Sequence, residues 1–308
     1  MRRIGRRGFL TAVAAGGAVA AGAALELRSL RGEYDHRDAQ QPTAQRAFAR
    51  ALQQLERDLH APALLHVGHS THVLALGGKK LLTDPWFHDP AHGGMRHARG
   101  PAARADQLGQ LDAVLITHEH PDHADPRALD QLDKRAHCIV GTKNLVALCK
   151  RLGFTSVTQL RPGETLSLAP LAITATPAVH DIPEVGFAIS RYGGPSIYFA
   201  GDTAMQASAF EAIKERHAPA AAILPIDGTR LRGDRRWVMT AEEAARAAKL
   251  LGTRVAIASH ADTVFTDWLL QLWASVDDHA THRFTTTACT RQATCLAPTP
   301  GDMIALEA

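Results

Sequence analysis

The sequence predicts a four-layer α/β protein, an αββα sandwich of two mixed β-sheets flanked by helices. Three observations lead there. Short apolar runs closed by Gly, Pro or Asp recur along the chain, too brief for helices and bounded by turn residues. Helical patterns lie between some of them. The order, strands first and then strands alternating with helices, suits two sheets packed together with helices outside.

Taken in order, residues 43–60 come first, with Phe48, Leu52, Leu55 and Leu59 at helical spacing, which predicts an amphipathic helix. The strand-like runs are 64–67, 73–76, 81–83, 113–117, 139–141, 171–176, 197–200, 221–224 and 255–259. Helices are predicted over 144–152, 206–216 and 240–251, the last opened by a capping box of Thr240 and Glu243.

Residues 1–24 read as an address rather than as part of the fold. Arg2, Arg3, Arg6 and Arg7 precede an uncharged Ala/Gly/Val run, and Arg6-Arg7-Gly8-Phe9-Leu10 resembles the twin-arginine signal that exports folded proteins. This predicts a periplasmic or otherwise exported protein that meets the twin-arginine machinery, membrane-tethered if the segment stays uncleaved. The expected organisation is a signal over 1–24, a linker and amphipathic helix over 25–62, and one folded domain over 63–308.

The formal net charge of +3 does not indicate a nucleic-acid partner. Without the four signal arginines it becomes 3 − 4 = −1. Four cysteines make no C-x-x-C pair. Cys289 and Cys295 are spaced to bridge in an oxidising compartment, although all four suit small core positions. The 17 histidines point to metal or proton chemistry.

That chemistry begins where the run 113–117 ends in His118-Glu119-His120-Pro121-Asp122-His123. Ligands in α/β proteins sit at the carboxyl ends of strands. His118 and His120, two apart in an extended segment, project to one side; Asp122 and His123 follow a turn at Pro121 and point elsewhere. The spacing suits two adjacent metals. Three later strands close in the same way, 171–176 on His180, 197–200 on Asp202 and 255–259 on His260. Singly, each has a structural reading, Asp202 as the N-cap of a following helix for instance.

This ordered set resembles the metallo-β-lactamase superfamily of dinuclear metal hydrolases, over roughly residues 63–265. The resemblance implies that His118, His120 and His180 hold one metal, that Asp122, His123 and His260 hold the second, and that Asp202 bridges them. It further implies a bridging hydroxide as nucleophile, with Asp122, His123 and Asp202 as catalytic residues. Nitrogen and carboxylate ligation without thiolate suits two zinc ions, and manganese or iron also fit. Val67-Gly68-His69-Ser70-Thr71 and Leu81-Leu82-Thr83-Asp84-Pro85-Trp86-Phe87 are similar to the branch holding ascorbate-6-phosphate lactonases and N-acylphosphatidylethanolamine phospholipases D. The chain departs from the phospholipases at Pro121, at Ala204 and at His260-Ala261-Asp262-Thr263.

The expected activity is therefore cleavage of an ester-type bond in a small-molecule or phospholipid-like substrate. A non-catalytic metal-binding module and a nuclease are the alternatives. His69 and Asp84 are candidates to orient ligands or contact substrate, or simply to serve a turn and a strand end. The histidine-rich loop 86–101 is a candidate overhang. Arg232 and Arg235, in a run of four arginines beside Trp237, are candidates for anion recognition. Asp262 is expected to cap a helix over 264–270.

Overall fold

The computed structural model describes residues 42–91, 94–192, 194, 196–231, 236–272, 274–288 and 293–306. The signal-like segment, the linker, His92, Arg232 and Arg235 lie outside the described residues.

Helix α1 (Pro42–Arg57) precedes the first sheet, built from β1 (Ala63–Gly68), β2 (Thr71–Leu76) and β3 (Lys79–Thr83). After β4 (Met95–His97) come β5 (Ala113–Ile116), α2 (Pro126–Gln131), β6 (His137–Val140), α3 (Lys143–Arg151) and β7 (Ser156–Gln159). The second sheet uses β8 (Thr165–Leu168), β9 (Leu171–Pro177), β10 (Val185–Arg191), β11 (Ser196–Phe199) and β12 (Pro219–Pro225), with α4 (Ala207–His217) between the last two. After β13 (Arg230–Leu231) and α5 (Ala241–Leu251) follow β14 (Val255–Ser259), β15 (Thr263–Phe265), α6 (Trp268–Gln271) and β16 (Ala274–Ser275). The described chain ends with α7 (Ala280–Arg283), β17 (Thr294–Leu296) and β18 (Met303–Ala305).

The strand orders are β18-β1-β2-β3-β5-β6-β7 and β17-β14-β12-β11-β10-β9-β8. Both sheets are mixed: β3, β5, β6 and β7 run parallel, as do β11, β12, β14 and β17, and the remaining pairings in these two sheets are antiparallel.

Alternation along the strands makes the four layers. Leu64, Leu81 and Leu115 face Phe187, Phe199 and Ile223 in the core between the sheets. Their neighbours Leu65, Leu82 and Val114 face the other way, onto Phe48, Leu52 and Leu55 of α1 and Leu145 of α3. On the second sheet, Tyr198, Ala222 and Ala256 turn outward onto Phe210 of α4 and the alanine face of α5. Strands buried on both faces read as continuous apolar runs, which is why they stood out in the sequence.

Helix α1 is thus an outer layer of the domain rather than a prelude to it. The nearly buried Lys80 ammonium fixes it there, pairing with Glu56 and donating to the Leu108 carbonyl oxygen at 2.9 Å. The capping box of α5 is present in full, with Thr240 accepting from the Glu243 N–H at 3.3 Å and Glu243 accepting from the Thr240 N–H at 3.0 Å. Cys138 and Cys149 are buried free thiols, whereas Cys295 is disulfide-bonded, so the small-core-residue reading does not hold for it.

Beneath the β1–β2 turn lies a buried imidazole pair, His66 Nδ1 and His72 Nδ1 at 3.1 Å. Burial, reinforced by His69, pushes His66 down to about 3 and, reinforced by His66, holds His72 well below its ordinary value. Both rings are neutral in the folded protein, while unfolding frees them to take up protons below about pH 6.5. Their contribution to stability is therefore complete above that pH and is lost as pH falls towards 3. The double variant His66→Leu/His72→Leu should lose thermal midpoint less steeply than wild type between about pH 7 and pH 5. Equal slopes for the two metal-free proteins would refute this.

Candidate metal centre

Strand polarity gathers the coordinating side chains. Because β3 and β5 are parallel, with Thr83 opposite Leu115, the residues following them, Asp84 and Thr117-His118, emerge side by side. Because β11, β12 and β14 are parallel, Asp202, Asp227 and His260 emerge together from the second sheet. His180 follows β9 on the same sheet. The centre thus lies across the ends of both sheets.

Two groups make up the centre, in each of which the candidate ligand atoms lie within 4.8 Å of one another, His118, His120, His180 and Asp202, and His69, Asp122, His123 and His260; a third such group, Asp84, His118 and His123, overlaps both. In the first, His120 Nδ1 lies 3.0 Å from His118 Nε2 and 3.2 Å from His180 Nε2. Tetrahedral nitrogens at metal distances would be about 3.3 Å apart, so these rings are spaced as ligands are. One oxygen, Asp202 Oδ2, joins the groups, 3.1 Å from His123 Nε2, 3.0 Å from His260 Nε2 and 3.9 Å from both His118 Nε2 and His180 Nε2. The other, Asp202 Oδ1, is buried without a hydrogen-bond partner. A divalent cation suits this donor set, in which buried imidazoles and carboxylates converge.

The sequence profile described as "Beta-lactamase superfamily domain" matches residues 79–261, more than half of the chain. The chain belongs to the metallo-β-lactamase superfamily. A UPF0173 metal-dependent hydrolase from Rubrobacter xylanophilus is 30% identical over 215 residues, 65% of this chain and 81% of that protein. The isothiocyanate hydrolase from Delia radicum gut bacteria has the same fold, with a TM-score of 0.63 and 22% identity over 79% of this chain and 98% of its own. So does CmlA from Streptomyces venezuelae, a diiron β-hydroxylase, with a TM-score of 0.60 and 18% identity over 80% of this chain and 54% of its own. This metallo-β-lactamase superfamily member is a metal-dependent hydrolase.

In this hydrolase the coordinating rings are held from behind. Asp84, fully buried, accepts the Thr117 N–H at 2.8 Å and the Thr117 hydroxyl at 2.7 Å, and lies 2.7 Å from His123 Nδ1. It is placed to orient a ligand candidate. Asp227 does the same for His260, with Oδ2 2.9 Å from His260 Nδ1 and Oδ1 taking the N–H and hydroxyl of Thr229. Glu184 Oε1 accepts the Asp202 N–H at 2.7 Å and lies 3.2 Å from His118 Nδ1. Gly201 (φ 67°) permits that contact, since a Cβ there would run into Glu184 Oε1. Such partners fix tautomer and ring orientation.

Electrostatics follow from burial and proximity. Burial alone pushes the His123 and His260 imidazoles down, but Asp202, with Asp122 beside the first and Asp227 beside the second, holds both well above their ordinary value. Burial likewise disfavours ionised Asp122 and Asp202, and the facing imidazoles, His123 foremost, keep both well below the carboxylate range. Burial and then His123 depress His118. Burial and then His260 bring His69 down to about 4. Burial raises Asp84 to about 6 against the opposing pull of His123, and raises Glu184 to about 7.

The structural alternative for Asp202, a helix N-cap, does not hold, since Gln206 occupies that position on α4. Other sequence expectations need correction. Asp262 caps no helix; β15 follows it, and its carboxylate takes the Arg99 guanidinium at 2.6 and 2.8 Å. In the loop 86–101, His88 Nδ1 lies 2.7 Å from Asp125 and His97 Nδ1 lies 2.9 Å from Asp89, with His97 stacked on buried Trp86. These two histidines brace the loop instead of overhanging the site. Sequence reading also missed Asp227, Glu184 and Asp181, whose Oδ1 lies 3.0 Å from His180 Nε2. Asp227 carried a readable signal, since it closes a strand as Asp202 and His260 do.

Proposed function

We propose that the protein is an exported, dinuclear metal-dependent hydrolase of ester-type bonds, with a lactone or another uncharged ester as its substrate. His118, His120 and His180 would hold one ion, Asp122, His123 and His260 the second, with Asp202 shared. The observation that carries the two-ion reading is the position of Asp202 Oδ2, within 3.9 Å of four imidazole nitrogens drawn from both groups. Ions bound there supply Lewis acidity and bring the pKa of a water towards ~7. Zinc is the ion best matched to the ligand set.

His120 of the first group, with Asp181 beside it, marks the open side of the centre. The His120 and Asp181 side chains are 17% and 21% exposed, while Asp122, His123 and His260 are at most 3% exposed. The Asp181 carboxylate at this open side disfavours an anionic phosphodiester and favours an uncharged ester. Export rests on the arginine-led segment 1–24.

The test combines metal analysis with a panel of lactones, carboxylic esters, N-acylphosphatidylethanolamine and nucleic acids, assayed in periplasmic and cytoplasmic fractions. Expected results are two ions per chain, turnover of lactones or esters in the periplasmic fraction, and loss of turnover in folded His120→Ala. Wild-type turnover by that variant refutes the mechanism. Preference for the phospholipid refutes the substrate assignment, and purely cytoplasmic activity refutes export.

A further inference from the structure

We propose that His69 is itself a ligand of the second ion, beside Asp122, His123 and His260; this rests on the two-ion reading above. The His69 side chain is 0% exposed, and neither ring nitrogen meets a hydrogen-bond partner of good geometry. A buried imidazole whose Nδ1 has no partner and whose Nε2 reaches only a long carboxylate contact is costly. Its ring is aimed at the second group, with Nε2 3.4 Å from Asp122 Oδ2 and its centroid 4.1 Å from that of His260 and 5.4 Å from that of His123.

The backbone supports the same assignment. His69 has φ 51°, a left-handed conformation that is costly for a residue with a Cβ and persists where the surroundings enforce it. The turn that carries it is braced on two sides. The Ser70 carbonyl oxygen accepts the Thr83 hydroxyl at 2.8 Å, and the Ser70 hydroxyl lies 3.1 Å from that of Ser259, the residue before His260. His260 (φ 47°) and Asp84 (φ 29°) share the unusual conformation. Packing edge-on against Trp86, at 5.0 Å and 88°, does not by itself call for an imidazole, since an apolar ring would do the same.

Three imidazoles, Asp122 and the shared Asp202 would then crowd the second position and leave the first, at partly exposed His120, for the substrate. An ion held at the second position would be retained, and one at the outer position would exchange.

Zinc titration of the full chain by equilibrium dialysis tests this with His69→Asn, because Asn tolerates the left-handed backbone. Wild type should bind two equivalents, one resisting chelator. The variant should bind the first as wild type does and the second at least tenfold more weakly. In the cobalt-loaded wild type, six histidine rings (His69, His118, His120, His123, His180 and His260) should show contact-shifted NMR signals, and five in the variant. Two zinc equivalents of unchanged affinity in the variant overturn the role of His69 alone. A wild type that binds a single ion overturns the two-ion reading, and this proposal with it. Should His69→Asn fail to fold, the cobalt-loaded wild type decides, since five contact-shifted rings overturn the assignment and six support it.

Discussion

Asp202→Asn is expected to lower kcat/KM at least about a thousandfold, equivalent to about 4 kcal/mol of transition-state stabilisation, and to deplete both ions. The substitution is conservative in shape, and the backbone N–H that anchors residue 202 to Glu184 at 2.7 Å is untouched. What changes is the one carboxylate oxygen placed 3.1 Å from His123 Nε2, 3.0 Å from His260 Nε2 and 3.9 Å from His118 and His180. Both groups of ligands lose a shared anion at once, so the loss should exceed that of removing a ligand belonging to one group. Metal content and turnover measured on one preparation provide the check. A variant that keeps two ions and works within tenfold of wild type would show that Asp202 is not shared.

Asp84→Ala is expected to cost about 3–5 kcal/mol of stability in the metal-free protein, the range for breaking a buried charged pair by removing one partner. Asp84 is fully buried and serves the Thr117 N–H, the Thr117 hydroxyl and His123 Nδ1 at 2.7–2.8 Å. Alanine takes the acceptor away from the Thr117 N–H and His123 Nδ1 and leaves the Thr117 hydroxyl only His118 Nδ1, at 2.9 Å, and it must also adopt φ 29°, which favours glycine. Urea unfolding of both proteins measures the effect. A loss below about 1 kcal/mol would mean that the pocket rearranges or admits water. The His123 ring would be free to turn, so weaker metal binding should accompany the instability.

Much of this was legible from the order of residues. Runs such as 113–117 and 197–200 become β5 and β11 because strands buried on both faces are apolar throughout, and their carboxyl ends deliver His118 and Asp202 to the centre. Strands with polar or mixed faces, such as β7 and β8, gave no such signal. Strand β10, Val185–Arg191, did carry a readable signal that went unused, since Pro183 precedes its apolar residues and Gly193-Gly194-Pro195 follows them in the sequence. Within the site, motif spacing identified the ligand candidates but not their supports. Glu184 meets Asp202 only through the approach of β10 to β11, and Arg99 meets Asp262 across more than half the chain. Such pairings depend on topology, which local sequence does not carry.

The first sheet has a further implication for how the protein is made. Strand β1 is paired on one side by β2 and on the other by β18, with Ala63 opposite Ala305. A ribosome delivers β2 moments after β1, but β18 only after every coordinating residue has already emerged. Until then the nascent chain exposes a bare strand edge of sequence ALLHVG, the kind of edge that recruits other chains. The candidate metal ligands and the strand that covers this edge thus lie in different stretches of the sequence. Chemistry and solubility are open to separate change.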